Sequence, residues 1–277
     1  MFEFKVTPKN LLLGVLQTST AEAIPIKVIT HIGELFGFTS NVMRVNVTRL
    51  LGAGVLGQDE RGCYRLKKKN NLMAQLIDGW HLGEGRRVEW DRTWFMVCLP
   101  NKKSVAGHKD NINALSYLGF KASDEFIWVR PNNLTYSRQI CWDYLLQLGL
   151  TPNSQLFVVA EADQDIESRW LKDLWPIQQH QKNYRELLKS LINSQQVLKT
   201  MPLDQAVVES FIFGSKVVNT LAIDPLLPEQ MMSTKYRERL TDAMHEYDLI
   251  GQKIWWQKFT DLNSEEFSAP GHLNFLQ

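Results

Sequence analysis

The chain has 277 residues, room for two or three compact units at the usual ~100 to 200 residues each. Its 44% hydrophobic and 22% charged residues are ordinary for a folded chain, and 31 basic against 30 acidic residues leave a net charge of +1. Those figures exclude wholesale disorder, a collagen-like repeat and an overall polycation. No apolar run approaches the ~20 residues that cross a bilayer. The start, Met1-Phe2-Glu3-Phe4-Lys5, lacks the basic flank and long apolar run of an export signal. A cytoplasmic chain with no membrane partner is therefore expected. Cys63, Cys98 and Cys141 are three and widely spaced, which fits neither a disulfide framework nor a metal or redox pair.

The near-balance of charge hides a gradient. Residues 1–70 hold ten Lys/Arg against five Asp/Glu, whereas residues 201–277 hold six against eleven. A basic first segment points to an anionic partner there, because the local field and not the total decides where a polyanion docks.

Thr7-Pro8 is a cap-then-proline helix start, and Leu11, Leu12, Val15 and Leu16 follow at helical spacing. Pro25 opens a second helix with Val28, Ile29, Ile32, Leu35 and Phe36 on its buried side and Gly37 as its stop. Thr39 caps a third helix running to Gly52, in which Met43, Val47 and Leu50 face the core. Helix, short turn and helix form the helix-turn-helix arrangement, whose second helix enters the major groove of DNA. The opposite face of that helix carries Asn41, Arg44, Val45 and Thr48. Arg takes guanine bidentately, Asn takes adenine, and Val or Thr methyls touch thymine. Ser40 begins the same face, and Arg49 at its edge is suited to a phosphate.

A strand from Gly52 to Gly57, a turn at residues 58–62 and a return through Cys63-Tyr64-Arg65-Leu66 make a β-hairpin, the wing of a winged helix. Arg61, Arg65, Lys67 and Lys68 are its candidate phosphate contacts. A short helix at residues 70–78 and the glycine-rich residues 79–87 read as a linker. Strand-like runs at Thr93–Leu99, Glu125–Pro131 and Leu156–Val159 alternate with helical stretches closed by Gly119 and spanning residues 135–148. That order suggests a small ferredoxin-like α+β sheet. Residues 161–169 are polar and separate it from helices expected within 169–175 and over 181–199, 203–221, 234–250 and 251–260. Asp224-Pro225-Leu226-Leu227-Pro228 makes a rigid turn between two of these. The fold class expected is α+β: a winged helix at 1–70, a linker at 71–87, a ferredoxin-like module at 88–165 and a helical domain at 166–277.

The chain resembles the phenylacetic-acid-degradation repressor family of bacterial transcription regulators (PaaX-type) along nearly its whole length. The matching pieces are Arg44-Val45-Asn46-Val47-Thr48-Arg49-Leu50, the wing ending Tyr64-Arg65-Leu66, Trp90-Asp91-Arg92-Thr93-Trp94, Leu118-Gly119-Phe120, Ile127-Trp128-Val129-Arg130-Pro131 and the Asp224–Pro228 turn. The resemblance implies a homodimer, and two copies of the third helix in successive major grooves of double-stranded DNA make an inverted-repeat operator the expectation. The resemblance also implies repression of catabolic genes until an aryl-acetyl-CoA-type thioester releases the protein. Because clefts favour domain interfaces, an acyl-CoA-type or related carboxylic effector is expected between the middle and C-terminal parts. Two departures stand out. The helix before the Asp224-Pro225 turn is often arginine-rich in the family, whereas Phe211–Val218 carries only Lys216. Ser233-Thr234-Lys235-Tyr236 stands where the family has a tryptophan.

No cofactor is expected. The strand Trp94–Leu99 lacks the carboxylate a divalent-metal nuclease needs, and no nucleophile or phosphate-loop motif occurs, so an enzyme is not expected. The other reading of the first unit is a winged helix that docks proteins or dimerises without specific DNA binding, which suits its modest basic excess.

Overall fold

The computed structural model of this protein describes residues 5–17, 23–59, 62–67, 72–100 and 108–264. Helices and two small antiparallel sheets make up the fold. The chain divides into two compact units. One holds Met1–Asn70, Ser190–Val217 and Ala243–Gln277, and the other holds Asn71–Lys189 and Val218–Asp242.

In the first unit α1 (Pro8–Gln17), α2 (Ile26–Leu35) and α3 (Ser40–Gly52) bury the residues expected from their periodicity: Leu11, Leu12, Val15, Leu16, Val28, Ile29, Ile32, Met43, Val47 and Leu50. α2 ends where Gly37 takes φ 77, a left-handed conformation that side chains resist, and Phe38 N–H returns to the Gly33 carbonyl at 3.0 Å. α3 starts where the Thr39 hydroxyl accepts from Val42 N–H at 3.3 Å. The two helices cross closely at Gly33, where an added Cβ would come within 2.9 Å of the Met43 sulfur. β2 (Leu56–Asp59) and β3 (Cys63–Leu66) form the hairpin, with Leu56 opposite Leu66 and Asp59 opposite Cys63. A two-residue strand, β1 (Ile24–Pro25), too short to show in any periodicity, pairs with β3. The core of this unit also takes in Val207, Phe211, Trp255 and Phe259 from far along the chain. Phe211 meets Phe36 edge-on, with ring centroids 5.3 Å apart.

In the second unit β4 (Trp94–Cys98), α5 (His108–Tyr117), β5 (Lys121–Ala122), β6 (Ile127–Pro131), α6 (Arg138–Gln147) and β7 (Gln155–Val159) follow one another. The strands lie in the order β5-β6-β4-β7, all antiparallel. Phe95, Val97 and Leu156 join Ala114, Leu115, Cys141 and Leu145 in one apolar cluster. Trp94 alternates with Phe95 and instead meets Trp90 and Trp170, each with centroids 5.2 Å away. Residues 161–169, read as a separator, largely belong to α7 (Gln164–Asp173), which brings Trp170 into that cluster. Before β4, α4 (Leu72–Asp78) leads into a 3₁₀ segment, Gly79–Arg86, in which Trp80 and Gly83 are buried. Gly83, at φ 48, packs against Thr241, so its glycine serves a close approach within the unit.

The remaining helices are α8 (Ile177–Val197), α9 (Leu203–Ala222) and α10 (Lys235–Ser264). α10 runs unbroken where two helices meeting at residue 250 were expected. Gly251 is buried with the Ser210 Cβ 3.9 Å from where its own Cβ would stand, so it permits close packing and does not end the helix.

Candidate nucleic-acid interface

The buried stripe of Met43, Val47 and Leu50 fixes which side of α3 looks outward. Asn41, Arg44, Val45, Thr48 and Arg49 are all exposed on that side, as the helical period requires. Val42, which was not singled out by sequence reasoning, joins them. It is 37% exposed and Val45 41%, two branched apolar side chains presented to solvent between polar neighbours. Its signal was available, since position 42 lies three residues before Val45 on the same face. α3 contains no acidic residue, and among the described residues neither Arg44 nor Arg49 has a carboxylate partner. Thr48 spends its hydroxyl hydrogen on the Arg44 carbonyl at 3.1 Å, which leaves its oxygen as an acceptor. Ser40 is half-buried and donates to Glu34 at 2.8 Å, so it is tied to α2 and less available than the rest.

The hairpin brings a smaller set of bases. Arg65 is exposed but paired with Asp59 across the strands at 3.2 Å, a surface ion pair of little strength that any phosphate has to displace. Lys67 is exposed just beyond β3, its N–H bonded to the Val55 carbonyl at 3.0 Å. Arg61 and Lys68 lie outside the described residues.

Sequence reasoning missed a second constellation, in the other unit, centred on the turn at residues 224–228. Asp224 accepts from the Leu226 N–H at 2.7 Å, from Arg237 at 3.3 Å and from the Tyr184 hydroxyl. That bond holds Leu226 at φ 52, a conformation unusual for a branched side chain. The three central carbonyls of the turn are claimed by side chains: Pro225 by Arg130, Leu226 by Asn133 at 2.7 Å, and Leu227 by both Arg87 and Arg237 at 3.2 Å. Glu84 takes two bonds from Arg237, at 2.6 and 2.9 Å, and pairs with Arg87. Although burial opposes it, these two guanidiniums hold the Glu84 carboxyl below its usual range. Prolines 225 and 228 signalled a rigid turn, but no spacing in the sequence joins Glu84, Arg130, Asp224 and Arg237.

The described residues contain no group of three His, Cys, Asp or Glu side chains able to hold a metal ion. None of their helices is long and apolar enough to cross a membrane.

This two-unit α+β architecture is shared with at least one solved structure. That structure is an uncharacterized protein, Rv0674, from Mycobacterium tuberculosis, similar with a TM-score of 0.58 over 91% of this chain and 100% of that one, at 18% sequence identity. No family model and no curated protein matches the chain. At that identity the likeness speaks for the fold alone.

Proposed function

We propose that this protein is a sequence-specific DNA-binding transcriptional regulator, a repressor of the PaaX type. Its first unit is a winged helix-turn-helix in which α3 enters the major groove and the β2–β3 hairpin lies along the backbone. The observation that carries the reading is the outward face of α3: an amide, two guanidiniums with no carboxylate partner among the described residues, a hydroxyl and two exposed valines on a helix clamped from behind by Met43, Val47 and Leu50. The β5-β6-β4-β7 order, laid down as strand-helix-strand-strand-helix-strand, suits the ferredoxin-like module that the resemblance implies. The protein acts as a homodimer on an inverted repeat with half-sites about one helical turn, or a multiple of it, apart. An acyl-CoA-type or related carboxylic metabolite releases it.

A second reading, a winged helix that docks protein and not DNA, is favoured by the exposed Val42 and Val45 and by the neutralised Arg65. Filter binding to genomic fragments between 50 and 200 mM salt separates the two, since phosphate contacts make log affinity fall linearly with log salt. A flat response, or no retained fragment, leaves the docking reading standing. With a retained fragment in hand, Arg44→Ala is expected to cost ~1 to 3 kcal/mol at the cognate site and relax one base position. Lys67→Ala weakens every sequence alike.

A further inference from the structure

The second unit encloses more positive than negative charge around the 224–228 turn. Arg86, Arg87, Arg130 and Arg237 gather there with two carboxylates, Glu84 and Asp224, and of the four only Arg87 and Arg237 bond to them. Arg87 and Arg237 share Glu84, and Arg237 also reaches Asp224. The other two guanidiniums meet only neutral acceptors. Arg130, 1% exposed, donates to the carbonyls of Leu118, Pro131 and Pro225 and to the Asn133 side chain. Arg86 donates to the carbonyls of Gly83 at 3.2 Å and Leu221 at 3.1 Å, and its second terminal nitrogen has no partner among the described residues. Asp224 and Glu84 act on Arg86 through their fields, but neither carboxylate is bonded to it, so its second terminal nitrogen remains open to an anion.

An independent observation lies beside Arg86. The Tyr136 hydroxyl is buried and has no hydrogen-bond partner among the described residues. The backbone brings it to Arg86: Thr135 N–H donates to the Arg86 carbonyl at 3.0 Å, and Arg87 and Leu134 form an antiparallel bridge. Arg86 and Arg130 are also the two cations whose fields bear on that hydroxyl. A trapped water satisfies the hydroxyl alone, whereas an oxyanion accepts from the hydroxyl and from Arg86 together.

We propose that the corner formed by Arg86 and Tyr136 is a binding site for a small oxyanion, a carboxylate or a phosphate group, held by the second terminal nitrogen of Arg86 and the Tyr136 hydroxyl. The site does not depend on the DNA-binding reading and stands or falls without it.

Thermal unfolding of the full chain, titrated with sodium acetate and separately with sodium phosphate at constant ionic strength, tests it. The expected result is a melting temperature that rises and saturates with one of the two anions, the one saturating at lower concentration naming the class. Tyr136→Phe removes only an unpartnered oxygen, so it folds and melts no lower than the parent without anion. Its apparent affinity for the anion falls roughly tenfold or more, the loss of one charge-assisted bond. Arg86→Gln abolishes the response, and if that variant fails to fold, Tyr136→Phe alone decides. No rise in the parent, or a non-saturating rise that Tyr136→Phe reproduces, is a general salt effect and overturns the proposal.

Discussion

Arg237 exposes 1% of its side chain yet holds both carboxylates of its unit's buried network and the Leu227 carbonyl. Burial works against its charge, but Asp224 and Glu84 more than reverse this and hold it more firmly protonated than usual. Arg237→Met leaves Asp224, itself 1% exposed, without its cation, and the expected cost is ~3 to 5 kcal/mol. A lower urea midpoint at unchanged slope checks this. Arg237→Lys, a point charge that cannot fork onto two carboxylates, falls between the two. Nothing in the sequence announces such a residue. Arg237 sits in Lys235-Tyr236-Arg237-Glu238-Arg239, where alternating charge reads as a solvated helix face, and its partner Glu84 lies 153 positions away. Outward residues of α3 were legible for the opposite reason, because Met43, Val47 and Leu50 announce the buried side and leave the rest to solvent.

At the scale of elements, α3 owes its place to a cap and a crossing, and each can be weakened separately. Thr39→Ala removes the acceptor for Val42 N–H and is expected to cost ~1 kcal/mol. Gly33→Ala drives a methyl into Met43 at the α2–α3 crossing and is expected to cost ~1 to 3 kcal/mol, with α3 displaced. Denaturant titration of both variants beside DNA titration distinguishes them. The capping change leaves the folded complex close to its normal affinity, whereas the crossing change lowers affinity beyond what its stability loss explains. Caps and glycine stops made these helix ends readable, down to Thr39 and Gly37. The continuity of α10 was not, since a helical glycine packed on Ser210 and a glycine that ends a helix look alike in one sequence. The arginine-poor stretch of α9 has a related account. Phe211 stands on the face that packs against Phe36 and crowds Gly14, so apolar character there serves the core of the first unit.

For the whole molecule, pH reaches stability mainly through groups that burial or a close opposite charge has moved. Burial lowers His180 from its ordinary 6.5, with Lys121 and Arg237 acting in the same direction and Asp224 against them. A histidine whose folded value is depressed binds its proton more readily when unfolded. Its contribution is therefore whole above pH 6.5 and is lost as the pH falls through the folded value. Glu84 acts lower down: held below its ordinary 4.5, it contributes fully above that pH and loses its contribution as acid protonates it in place. The expectation over pH 8 to 4 is a plateau at and just above neutral pH, a first decline beginning near pH 6.5 and a second below pH 4.5. Urea midpoints measured from pH 8 to pH 4 trace this curve, and His180→Asn, which cannot take the proton, removes the first decline while keeping the second. Were the variant to keep both declines unchanged, the upper one would belong to another group. Apart from Asp224 and Arg237, the gradient of charge from a basic start to an acidic end has little part in this, because most of its described members are exposed and salt screens them. On the proposed DNA-binding reading their influence is on encounter with DNA, and raising the salt is expected to weaken binding while leaving the pH profile of folding as it was.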